Sequence, residues 1–247
     1  MSHHLQIKEH ESTSKEFIFP VEDEEELNTT ILYMHNIYKL IFNGKVGAPV
    51  QENLQNGAKV LELCCEDGIW ITEVAVEYPN TEFYGVDSNI QNSDNNFNNV
   101  TFIEYKLYIW KKNTFLEVLS EIFRVLKPGG WLEVVCTFNT ELVYGPTYTR
   151  LRNTWDSWLK LQNIDTDLVG NLENYLKQTG KAESVLSRII DSQIKRGCAF
   201  GEFMIEVFLF FYKSARNYLA PFMTISLEEF DDLVNKAKSE LSEDNRL

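Results

Sequence analysis

Residues 59–87, KVLELCCEDGIWITEVAVEYPNTEFYGVD, constrain what this chain can fold into more than any other stretch. A short apolar run (Val60, Leu61, Leu63) holds one carboxylate, Glu62, and breaks at an acidic turn ending in Gly68. An amphipathic helix follows and stops before Pro79, and a second strand then closes on Asp87. The pattern is a β-loop-α-β unit with an acid at the tip of each strand. That is the layout of a nucleotide-cofactor site in a doubly wound sheet. Where such a turn usually carries glycines, this one carries Cys64 and Glu66.

The rest of the chain extends that unit. Residues 1–22 are polar and acidic and read as a disordered arm ahead of one domain over 23–247. Asp23 to Phe42 has helical periodicity, with Leu27, Ile31, Met34, Tyr38 and Ile41 on one face. A short helix at Val50–Asn56 completes a helical lead-in over 23–58. In the core, 59–137, further strands are expected at Val100–Tyr105 and Trp131–Thr137. They flank a helix at about Lys111–Leu126 and the turn Lys127-Pro-Gly-Gly130. Region 138–247 is mostly helical, with helices from Pro146, at about 166–178, at Glu202–Leu219 and from Ser226. A strand at Ser184–Ile194 is the exception, and the last helix opens on a capping box formed by Ser226 and Glu229. Alternating strands and helices with short turns point to an α/β fold with a mostly parallel sheet.

Bulk properties narrow the function classes. A net charge of −14 over 247 residues repels phosphate backbones, so no nucleic-acid partner is expected. The four cysteines, an adjacent pair plus Cys136 and Cys198, match neither a disulfide framework nor zinc spacing and suit a reducing compartment. No signal peptide and no membrane span is visible; FMIEVFLFFY at 203–212 is too short and carries Glu206. A cytoplasmic or nucleocytoplasmic location is the expectation, with no membrane partner.

Three blocks carry a family resemblance: GKVGAPVQENLQNGAKVLEL, EYPNTEFYGVD and FRVLKPGGWLEVV. With them the chain resembles class I S-adenosylmethionine (SAM) dependent methyltransferases over roughly residues 23–245, most of all a fungal branch with a helical N-terminal lead-in. The resemblance implies a Rossmann-like, mostly parallel doubly wound sheet with helical C-terminal decoration. It also implies SAM as cofactor and methyl transfer to a small-molecule acceptor. Asp87 would accept the ribose hydroxyls, with Ser88 beside it, and Glu62 would anchor the loop and the methionine end. Gly68 would keep the last of the loop glycines, Lys106 would stand near adenine, and His35 matches a position close to the cofactor.

The departures from the family are as informative as the matches. The family loop runs acid-x-Gly-x-Gly-x-Gly, whereas this chain reads Glu62-Leu-Cys64-Cys65-Glu66-Asp67-Gly68. Only about five residues, Lys106–Trp110, stand where the family has a further helix and fourth strand. The competing reading is therefore a catalytically inactive, methyltransferase-like binding protein or the product of a shortened gene. Bland roles compete residue by residue as well. Cys64 and Cys65 suit small buried hydrophobes, and His35 suits a structural helix-face histidine.

Overall fold

The computed structural model describes residues 24–88, 90, 97–105, 114–136, 145–189 and 199–243. The arm at 1–22, Lys106 and residues 190–194 of the expected Ser184–Ile194 strand lie outside them. The described residues divide into two compact units, one from those within 25–105 and from 126–135, the other from Glu24, 114–125 and those within 136–243.

The first unit is a small α/β layer. Helix α1 (Glu24–Phe42) and the short α2 (Gln51–Gln55) lead into β1 (Lys59–Leu63), α3 (Ile69–Glu77), β2 (Glu82–Asp87) and β3 (Val100–Glu104). The strands are parallel in the order β1-β2-β3. Val60, Phe83 and Val100 stand in register across one face, where Ile71, Val74 and Ala75 of α3 pack on them. That face drives the unit together, since each buried apolar side chain contributes roughly 1.5–3 kcal/mol. Thr81 and Asn99 close its lower end. Thr81 Oγ1 donates to the Leu54 carbonyl at 2.6 Å, and Asn99 Nδ2 donates to the carbonyls of Ala75, Tyr78 and Thr81.

The opposite face is more open. Leu61 is 37% exposed and Ile103 44%, beside a Lys59–Glu82 ion pair at 2.5 Å. A doubly wound sheet has helices on both faces. Among the described residues of this unit, α3 packs on the face of Val60, Phe83 and Val100, and Leu61 and Ile103 stay exposed on the other.

Two expected strands are absent among the described residues. Residues 131–136 of the Trp131–Thr137 run form no ladder, and Trp131, Val134 and Val135 are 45%, 42% and 46% exposed. What holds this segment is Glu133, whose carboxylate accepts the N–H groups of Gly47 and Ala48 at 2.9–3.0 Å. Residues 184–189 likewise form no strand. Strand propensity reports fitness for a pleated, half-buried surface, and among the described residues neither segment has a strand neighbour to supply one.

The second unit is helical: α4 (Phe115–Val125), α5 (Pro146–Leu161), α6 (Leu168–Gln178), α7 (Ala199–Ser214), α8 (Arg216–Phe222) and α9 (Leu227–Glu243). The expected Glu202–Leu219 helix is two helices that part at Ala215. Helix α9 packs on α5, α7 and α8 through a core that includes Leu151, Leu209, Leu219 and Phe230. The expected capping box is present: the Glu229 N–H donates to Ser226 Oγ at 3.1 Å, and Glu229 Oε2 accepts the Ser226 N–H at 2.8 Å.

Candidate functional site

The loop between β1 and α3 alternates left-handed residues. Cys64, Glu66 and Gly68 all take left-handed φ values, of 58°, 49° and 70°. These are the three alternate positions at which the acid-x-Gly-x-Gly-x-Gly pattern calls for glycine. Each L side chain in that conformation costs on the order of 1–2 kcal/mol. The turn is held from beneath by β2. The Val86 carbonyl accepts the N–H of Cys64 at 2.8 Å and of Cys65 at 3.3 Å, and Asp87 Oδ2 accepts the Glu66 N–H at 2.9 Å.

Gly68 opens α3 and has no side chain to cap it. A Cβ there would lie 2.5 Å from the ring of Phe102, and a Cβ at Gly85 2.8 Å from the same ring. Phe102, Gly85 and Glu62 stand in register across the sheet. The aromatic ring thus presses on both glycines, and Glu62 occupies the same row. This clamp was invisible in the sequence, because a phenylalanine in a strand looks like any core residue; the one available signal was glycine inside the GVD strand.

The electrostatics of the loop are one-sided. Glu62 Oε2 is fully buried and has no hydrogen-bond partner. Burial lifts the Glu62 carboxyl to about 8, with Glu66 and Asp87 adding to the rise and the Ile71 N–H in the first turn of α3 opposing it. Glu66 is exposed as a residue, yet partial desolvation of its carboxyl by the loop, with Asp87 and Asp67 adding to it, lifts it to about 7. Both thiols are pushed up to about 12, again by desolvation first and by these acids second. Neither cysteine is therefore a thiolate near neutral pH, and both are free of disulfide. Cys65 is the small buried hydrophobe expected, whereas Cys64 is an exposed residue on a strained turn.

The remaining expected residues separate into two groups. Asp87 and Ser88 stay at the strand tip, where Asp87 Oδ1 accepts the Ser88 N–H at 2.6 Å. His35 lies on α1, where its Nε2–H donates to Glu73 Oε2 at 2.6 Å and joins α1 to α3. Lys39 reaches Glu73 Oε1 at 2.6 Å, and Lys45 lies 3.2 Å from the same oxygen. Although partial burial opposes it, hydrogen bonds from Lys39, His35 and Lys45 hold the Glu73 carboxyl down at about 2. This cluster borders an open groove of about 510 Å³ that Leu32, Asp67 and Phe102 also line. Among the described residues no group of His, Cys, Asp and Glu is arranged to hold a metal ion, and no helix is long and apolar enough to cross a membrane.

The chain was compared with known families and proteins. No protein-family model and no curated protein matches it. The assignment of chemistry therefore stands on the residues themselves. They are acids: Glu62, with a buried, unpartnered Oε2, and Glu66 and Asp87, whose charges raise its pKa and which a nearby cation would help to ionise. SAM, with its sulfonium and ammonium groups, has that charge.

Proposed function

We propose that the β1-loop-α3-β2 unit is a SAM site and that the protein is a SAM-dependent methyltransferase with a small-molecule acceptor, on an abbreviated Rossmann-like sheet. The observation that carries this reading is the alternation of left-handed residues at positions 64, 66 and 68 between two strand-tip acids. Strained backbone persists where the surrounding structure over-determines it, and such places cluster at ligand sites. When bound, the cofactor supplies an electrophilic methyl group on a cationic sulfur. The chain's own part is to bind and orient. Asp87 fixes the loop through the Glu66 N–H, Glu62 offers a buried acceptor, and Phe102 sets the start of α3 by closing on Gly68. Methyl transfer needs an in-line approach more than an acid or base, so positioning accounts for most of the rate gain.

A second reading, an inactive methyltransferase-like binding protein, is favoured by the side chains of Cys64 and Glu66. They occupy the positions where a cofactor needs close backbone approach. Calorimetric titration with SAM separates the two. The intact protein is expected to bind weakly, Asp87→Asn to lose binding, and the Cys64→Gly, Glu66→Gly double variant to bind several-fold more tightly. No binding by the intact protein or by the double variant would remove the methyltransferase reading.

A further inference from the structure

We propose that the groove between α1 and α3 binds a flat, apolar molecule with one neutral hydroxyl, a phenol or an enol, whose O–H donates to His35 Nδ1. On the methyltransferase reading this molecule is the acceptor, but the groove uses none of the strand-tip acids and does not depend on SAM.

The lining suits an apolar body. The groove holds about 510 Å³, within the roughly 300–1,000 Å³ of small-molecule sites. Leu32 of α1 and Val76 of α3 line it, both exposed, and Phe97 and Phe102 add two aromatic rings. A flat occupant would take these surfaces out of water. The groove also reaches the loop, where Asp67 and Ile69 flank Gly68.

Hydrogen-bonding capacity selects the polar end. Glu73 is held ionised down to about 2 and accepts the His35 Nε2–H at 2.6 Å. With the proton of the neutral ring on Nε2, Nδ1 is an acceptor. The His35 side chain is only 11% exposed, and Nδ1 has no partner among the described residues. An acceptor so poorly reached by water gains from a ligand donor. Thr72 also offers lone pairs, since its Oγ1 proton goes to the Gly68 carbonyl at 2.7 Å. Charged ligands fit less well. Lys39, one helical turn from His35, is tied to Glu73 at 2.6 Å and would repel an ammonium there, while Glu73 and Asp67 repel a carboxylate. A neutral donor meets neither obstacle.

The test titrates the full chain, without SAM, with 2-naphthol, 2-methoxynaphthalene, 2-naphthoate and 2-naphthylmethylamine. Calorimetry gives the affinities, and NMR follows the His35 ring signals, identified by their loss in His35→Phe. Naphthol should shift those signals and bind about threefold or more tightly than its methyl ether, which cannot donate. It should also bind more tightly than either charged analogue. His35→Phe should abolish the difference between naphthol and ether. Val76→Ser, at an exposed position that leaves the His35–Glu73 bond in place, should weaken both neutral ligands alike. Absence of naphthol binding, unmoved His35 signals, equal binding of the ether, tighter binding of a charged analogue, or unchanged affinities in Val76→Ser would each overturn the proposal. SAM is absent from every titration, so failure here leaves the cofactor reading to its own test.

Discussion

Cys64 and Glu66 keep the left-handed turn at φ 58° and 49° without the residue that makes such a turn inexpensive. Their backbone is dictated by hydrogen bonds to Val86 and Asp87, which a change of side chain leaves in place. Cys64→Gly and Glu66→Gly should therefore each raise stability by about 1 kcal/mol in urea titrations, with Glu66→Gly gaining more because it also removes charge repulsion. Gly68→Ala should do the reverse, losing roughly 2 kcal/mol or more, because its Cβ would lie 2.5 Å from the Phe102 ring. Unchanged stability in the first two variants would show that the turn relaxes once the side chains leave. Positions 62, 68 and 87 could be picked out from the sequence because strand ends and turn residues have local signatures. Phe102 could not, since its role depends on a register set by two other strands.

Among the elements, those with local signals formed where expected, and of the expected strands β1, β2 and β3 formed, whereas the described residues of the other two did not. The α1 periodicity, the capping box of α9 and the Pro146 start of α5 are all written within a few residues of chain. How α5 is capped is not written there. Its N-cap is Gly145, and the missing acceptor comes from Glu240 on α9, whose Oε2 takes the N–H of Thr147 at 2.8 Å and of Tyr148 at 3.1 Å. Thr147 Oγ1 also donates to Glu240 Oε1. A charged cap from another helix stabilises both helices, through its hydrogen bonds and the helix dipole. Glu240→Ala should cost about 1–2 kcal/mol by thermal or urea denaturation, with Glu240→Gln recovering part of the loss. A change within about 0.5 kcal/mol would mean that water replaces the carboxylate at this helix start. The WLEVV segment failed for the mirror-image reason. Its composition suits a strand, but a strand exists only beside another, and residues 131–136 form no ladder.

At the scale of the whole molecule, stability against pH adds up the unusual carboxyls. Glu62 and Glu66 hold protons up to about 8 and 7 in the folded chain, against about 4.5 in the ordinary case. Their contribution is complete below about pH 4.5 and is lost as pH rises through 7 and 8. Glu73, held at about 2, has the opposite sign, with stability present above about pH 4.5 and lost as pH falls toward 2. The melting temperature should therefore peak near about pH 5 and decline toward pH 8. Joint Glu62→Gln and Glu66→Gln substitution should flatten the upper limb, and Glu73→Gln the lower one. A melting temperature that climbs from pH 5 to pH 8 would show that the two loop acids ionise freely.

The sequence by itself determined the β-loop-α-β order, the acids at both strand tips, the departures from the glycine pattern and the helical character of the second half. All of these are set by residues within a turn or two of one another, through periodicity, turn chemistry and capping. Only the tertiary structure decided that the loop keeps its left-handed alternation without its glycines, that Glu62 has a buried oxygen with no partner, and that His35 serves Glu73. It also showed that the strand-like residues 131–136 form no ladder among the described residues. Those outcomes depend on groups far apart in the chain competing for the same neighbours, and burial settles that competition after the local pattern has been spent. The stretch at 59–87 announced a cofactor site through its two acids. The fold added that the loop between them alternates left-handed residues and leaves a buried Glu62 oxygen without a partner.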